Sequence, residues 1–166
     1  MTPTVHKSGY QAPAAAAGEF RTARVAVLAT RWNREVLQAL QTGADEALRE
    51  AGIEAVETLY APGAYELPLA AELAARSGRY DAVVALGCVI RGDTPHFDYV
   101  AGECARGLME VQLRHGLPVA FGVLTVNTDA QAAERCRPGR ENKGYEAVQA
   151  ALEMLRLRRH LLLPRI

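Results

Sequence analysis

Two rhythms of apolar residues alternate along this chain. The first is a continuous apolar run, ARVAVLAT at 23–30, of the kind shown by a strand buried on both faces. The second follows at once: Val36, Leu37, Leu40, Ala44, Ala47 and Leu48 recur at helical spacing, which predicts an amphipathic helix closed by Gly52. The pair then repeats. IEAVETLY is strand-like, APGA turns the chain, and YELPLAAELAARSG is helical, with Pro68 admissible because it falls in the first turn. DAVVALGCVI reads as a fully buried strand, RGDTP as a loop, and HFDYVAGECARGLMEVQLRHG as a helix with Phe97, Val100, Cys104, Leu108 and Val111 on one stripe. PVAFGVLTV supplies a fourth strand. Thr128 and Gln131 then stand in capping-box register, a break at RPGREN follows, and a last helix is predicted from about 143 to 158.

Strands that alternate with helices imply a parallel sheet covered on both faces and joined by right-handed crossovers. The expected fold is a flavodoxin-like three-layer α/β sandwich whose four-stranded parallel sheet has the order 2-1-3-4. In such a sheet the order reverses between strands 1 and 3, and ligands bind outside the carboxyl ends of those strands. The loops to search are therefore 30–33, 61–66, 91–96 and the residues after Leu124.

Length and charge narrow the picture. At 166 residues the chain fits one domain, expected over 20–166, and residues 1–19, rich in small residues and proline, are expected to be a flexible tail. Nineteen Lys+Arg balance nineteen Asp+Glu, so no long-range field favours nucleic acid or an anionic membrane. No apolar run approaches the roughly 20 residues of a membrane span. Cys88, Cys104 and Cys136 are odd in number, form no CxxC and have no zinc-type spacing, which suggests reduced thiols in a cytoplasm. There is no GxGxxG after strand 1, no GxxxxGK[ST], no GxSxG and no HExxH, which argues against dinucleotide, P-loop, serine-hydrolase and zinc-protease chemistry.

The loops carry groups that plain connectors would not need. In IRGDTPH, Gly92 lets backbone approach a ligand and His96 starts a helix whose free N–H groups can hold a phosphate. The positive end of a helix also favours a neutral imidazole able to accept a proton. The plainer alternative is that Asp93 or Thr94 caps the helix and His96 is an ordinary first-turn residue. Trp32 and Asn33 follow strand 1, where an indole can stack on a planar ring and an amide can bond a hydroxyl, or where both merely border a helix cap. Glu66 suits a ligand or a helix dipole equally. Arg135 and Lys143 flank the last break and could grip an anion, although solvated surface charges are common. Cys88 reads as a small buried hydrophobe, since an apolar strand raises a thiol pKa.

Together RWN, PGAYELPLAA, ALGCVIRGDTPHFDYV, PVAFGVLTVNTDAQAAER and NKGYEAVQAALEM, in this order and at this spacing, closely resemble the lumazine synthase family. The resemblance runs from about Arg24 to Leu155. It implies a cofactor-independent, metal-free transferase reaction of riboflavin biosynthesis, condensing 5-amino-6-(D-ribitylamino)uracil with L-3,4-dihydroxy-2-butanone 4-phosphate. By position, Trp32 would stack on the pyrimidine, Asn33 and Glu66 would bond the ribityl chain, and Ala64 and Tyr65 would line that pocket. Backbone at Cys88, Val89 and Ile90 would bind the heterocycle. Gly92, Asp93, Thr94 and Arg135 match the phosphate grip and His96 the proton shuttle, while Phe121 and Lys143 belong to the part supplied by a neighbouring subunit. The family also implies homopentamers that stay single, pair, or close into an icosahedral shell, with riboflavin synthase as a candidate partner. A non-catalytic flavin- or lumazine-binding or shell-forming paralogue is the competing expectation. Trp32 and Tyr65 stand where many members have Phe, Cys88 replaces a smaller or hydroxyl-bearing residue, and Pro138 in the last break is unusual.

Overall fold

The computed structural model describes residues 10–162; 1–9 of the expected tail and the last four residues lie outside them. The elements follow the alternation: β1 (Arg24–Thr30), α1 (Arg34–Glu50), β2 (Ala55–Ala61), a single 3-10 turn (Ala64–Glu66) leading into α2 (Leu67–Arg76), β3 (Ala82–Ile90), α3 (His96–His115), β4 (Val119–Val126), α4 (Asp129–Arg135) and α5 (Lys143–Leu162). All strand pairs are parallel and the order is β2-β1-β3-β4. Pro68 sits in the first turn of α2, where its missing N–H is harmless.

Alternate strand residues feed two apolar clusters. Val25, Val27, Val84 and Leu124 face α1 and α5, whereas Ala26, Leu28, Val83, Ala85 and Val123 face α2 and α3. This is the three-layer sandwich, with one departure from two-sided burial: β2 is exposed from Ala55 to Tyr60, and only Ala61 is buried. The four long helices sit over β1, β3 and β4, and none is centred on β2. No helix among the described residues is long and apolar enough to cross a membrane.

Two local signals resolve differently from expectation. Thr128 caps α4, accepting from the Gln131 N–H at 3.2 Å, but the Gln131 side chain reaches back to the N–H of Asn127 at 2.8 Å, one residue before the cap. Helix α5 runs past 158 to Leu162, since leucines and arginines continue the helix and the next stop signal in the sequence is Pro164. The described residues ahead of β1 lie along α5. Tyr10 donates to Glu153 at 2.5 Å, Glu19 pairs with Arg156 at 2.5 Å, and buried Phe20 sits beneath the Arg156 and Arg159 guanidinium groups.

Candidate active site

The carboxyl ends of β1 and β3 are built around Asn33. It takes φ 55° and ψ 55°, the left-handed region that asparagine tolerates better than most residues, so the chain leaves β1 sharply before α1. Its amide does not cap that helix. Instead Nδ2 donates to the carbonyl of Cys88 at 3.0 Å, lashing the β1–α1 loop to the end of β3. The β1–β3 pairing stops at Ala29 and Leu86, while β3 runs on to Ile90 beside β4. Beyond Leu86, the β1-facing backbone edge of Cys88, Val89 and Ile90 is therefore not paired by β1, and it borders the Trp32–Asn33 loop.

A second loop closes on the first. The Arg31 N–H donates to the carbonyl of Pro62 at 3.3 Å. Gly63 then has an extended backbone that any residue could adopt, so space rather than dihedral angle is what a side chain there would test. A Cβ there would lie 3.2 Å from Trp32 Cδ1 and 3.2 Å from Glu66 Oε2. The indole and the carboxylate thus flank one glycine, although 33 residues separate them in the chain. Trp32 is 72% exposed and Tyr65 59%, a large aromatic surface at the mouth of the sheet, while Ala64 is buried beneath it.

The β3–α3 loop forms the third part. Gly92, Asp93, Thr94 and His96 are all exposed. Pro95 occupies the N-cap of α3, and Thr94 Oγ1 receives the His96 N–H at 3.4 Å. His96 is the first residue of that helix; its own N–H goes to Thr94, and the Asp98 N–H donates to the carbonyl of Pro95 at 3.0 Å. Arg91, which sequence reasoning passed over, organises this loop. Its guanidinium lies over the Phe97 ring at 4.2 Å and donates to Asp98 at 3.0 Å and to Asn127 at 3.1 Å, joining the ends of β3 and β4 to the first turn of α3. The signal was there in an arginine directly after an apolar strand end, but its partners become visible only in three dimensions.

Phe121, Arg135 and Lys143 come together elsewhere. They line a groove of about 410 Å³ along the outer edge of β4, with Tyr10 and Glu146, and none of Trp32, Glu66 or the 92–96 loop lines it. Phe121 is 46% exposed there. Arg135 Nη1 donates to the Gln131 carbonyl at 3.0 Å, and Lys143 Nζ lies 2.5 Å from Glu146 Oε2. One chain thus carries two sets of candidate residues: an aromatic and hydrogen-bonding set at the strand ends, and a cationic set on the sheet edge.

Burial raises the Cys88 thiol to about 11 and the Cys104 thiol to about 12, so both are protonated at neutral pH, and all three cysteines are free. Thr30, at the end of β1, is 3% exposed, and its hydroxyl has no hydrogen-bond partner among the described residues. Sequence reasoning also missed this group. Among the described residues, no cluster of three or more His, Cys, Asp or Glu is arranged to hold a metal ion.

Residues 22–159 match the family model for 6,7-dimethyl-8-ribityllumazine synthase, a span of most of the chain that includes all four strands and every loop described above. With that match lying over a 2-1-3-4 parallel sheet, the chain belongs to the lumazine synthase family.

Proposed function

We propose that the protein forms 6,7-dimethyl-8-ribityllumazine from 5-amino-6-(D-ribitylamino)uracil and L-3,4-dihydroxy-2-butanone 4-phosphate, in the cytoplasm. The observation that carries this reading is the aromatic and hydrogen-bonding surface at the ends of β1 and β3, where Trp32 and Glu66 flank Gly63 beside the extended β3 edge. Trp32 offers a face to the pyrimidine, and backbone of Cys88, Val89 and Ile90 bonds its edge. Asn33 and Glu66 serve the ribityl hydroxyls, with Ala64 and Tyr65 as walls. Gly92, Asp93 and Thr94 meet the phosphate.

The chemistry asks for positioning and proton transfer. The amine of the pyrimidine attacks the ketone, the carbinolamine loses water, phosphate is eliminated to leave an enol that tautomerises to a second carbonyl, and the ribityl-bearing nitrogen closes the ring on that carbonyl with loss of a second water. Each step moves protons, and His96 is the group assigned to move them. Holding two substrates together is worth up to about 7–11 kcal/mol in ideal cases, and proton transfer roughly 10²–10⁴-fold. Mixing the purified protein with both substrates and following lumazine absorbance tests the assignment. Binding of the pyrimidine without product would favour a non-catalytic paralogue.

Because the cationic set lies on the edge of β4, a complete site is proposed to form between subunits, with Phe121, Arg135 and Lys143 reaching a neighbour in a pentameric ring. The break between α4 and α5 is seven residues, 136–142. So short a break favours a closed shell over isolated rings, with Pro138 the unusual feature within it. Light scattering separates the two: 60 × 18.0 gives 1080 kDa for a shell of twelve pentamers, against 5 × 18.0 = 90 kDa for one ring. An active species of 18.0 kDa would defeat the shared site itself.

Arg135→Ala should weaken the phosphorylated substrate selectively, by about 1.5–3 kcal/mol, the worth of a charge-assisted bond to phosphate. The KM for the pyrimidine should stay where it was. Equal weakening of both substrates would make the arginine a support of the fold. Trp32, the only tryptophan, should lose emission when riboflavin or a pyrimidine analogue stacks on it. Unchanged fluorescence with a ligand that calorimetry shows to bind would remove Trp32 from the wall.

A further inference from the structure

The two cations of the β4 groove belong to different helices, and one buried side chain holds the ends of both. Asn142 is 2% exposed. Its Nδ2 donates to the carbonyl of Cys136, the residue directly after Arg135, at 2.9 Å, and to the carbonyl of Ala39 in α1 at 3.1 Å. Its Oδ1 accepts from the N–H of Gly144, the residue directly after Lys143, at 2.8 Å. Its own carbonyl accepts from the Glu146 N–H at 2.9 Å, and Glu146 is the partner of Lys143 Nζ. A single amide thus closes α4, opens α5 and pins both to α1.

The packing leaves that amide no other place. A Cβ at Gly43 would fall 2.3 Å from Asn142 Oδ1, so the glycine in α1 is the socket for the Asn142 side chain. The seven residues between the helices would otherwise define the Arg135–Lys143 spacing poorly, since they include Gly139 at φ 108°.

We propose that Asn142 is a positioning residue that sets the separation of Arg135 and Lys143, and through it the affinity of the groove for a phosphorylated substrate. This rests on the reading of that groove as an anion site. An amide meets the need because it donates twice and accepts at the same time. Serine can still cap α5 but is too short to reach both carbonyls. Aspartate keeps the shape and the cap while losing the two donors.

The test uses Asn142→Ser, with Asn142→Asp as the second variant should the first fold poorly, and Leu48→Ala as a control. Leu48 is a buried residue of α1, and its truncation destabilises the helix layer without touching the Asn142 hydrogen bonds. In either Asn142 variant, KM for the phosphorylated substrate and Kd for inorganic phosphate by calorimetry should both rise about tenfold, the loss expected when one charge-assisted bond is misaligned. KM for the pyrimidine should stay within about twofold. The Leu48 control should lower Tm and leave both KM values alone. Two substrates weakened alike, or a lower Tm with neither KM changed, would reduce Asn142 to a helix cap and overturn the proposal. Phosphate binding is read without turnover. A protein that makes no lumazine but shows the tenfold loss of phosphate in the Asn142 variants would refute the proposed reaction and uphold the role of Asn142.

Discussion

His96→Ala should slow turnover by roughly one to two orders of magnitude and leave both KM values close to their original levels. The reasoning starts from where the residue lies. His96 is exposed at the first position of α3, and its backbone N–H, not its ring, is what Thr94 holds. Alanine costs little at such a surface position, within about 0.5 kcal/mol of stability, so a fall in rate would not come from a damaged fold. Only part of the barrier is at stake, since positioning of the two substrates remains, and that limits the expected loss. Single-turnover and steady-state rates on the variant, with a melting curve beside them, settle the matter. An unchanged kcat would take the proton relay away from His96.

Gly144→Ala should be the most damaging of the glycine-to-alanine changes among the described residues. A methyl group there would lie 2.0 Å from the carbonyl oxygen of Leu40 and 3.1 Å from Asn142 Oδ1. The first of these is main chain of α1, which cannot rotate out of the way. Helices α1 and α5 pack backbone to backbone at this point, so they must separate, and Asn142 loses its seat. Overpacking in a core costs about 1–3 kcal/mol where side chains can yield, and here the loss should exceed about 3 kcal/mol. The comparison is Gly102→Ala in α3, where a Cβ meets nothing within 4 Å. That change should stabilise by about 0.4–1 kcal/mol, through lower entropy of the unfolded chain. Denaturant unfolding at fixed protein concentration measures both, since assembly would otherwise shift the midpoints. A loss under about 1 kcal/mol at Gly144 would mean that α5 can slide along α1 without penalty.

Much of the fold was legible because periodicity is a local property that reports which face of an element is buried. The runs at β1 and β3 are apolar on both faces because helices cover both, and the stripes of α1 and α3 name residues that now face the sheet, except Phe97, which is half-buried beneath the Arg91 guanidinium outside the core. The order 2-1-3-4, expected for a flavodoxin-like alternation with right-handed crossovers, is the order observed, and it puts the loops singled out for a candidate site at the carboxyl ends of the strands. The exposure of β2 was not legible: apolar Val56, Leu59 and Tyr60 argue for burial, and only the placement of the helices over the other three strands leaves them open.

The residue types of the candidate site could likewise be read from motifs, but not their arrangement. Trp32 and Glu66 meet across Gly63, Asn33 spends its amide on Cys88, and Arg91 gathers Phe97, Asp98 and Asn127. Each contact joins segments brought together by the sheet register, and no local spacing encodes such a pairing. The same holds for Asn142, whose amide bonds the carbonyl of Ala39, 103 residues away. What the amino-acid sequence determined by itself was the succession of elements and the kinds of chemistry carried at their ends. The tertiary structure alone decided which of those groups lie together at the strand ends and which lie along the edge of β4, because close approach of backbones and pairing of buried polar groups depend on the packed whole.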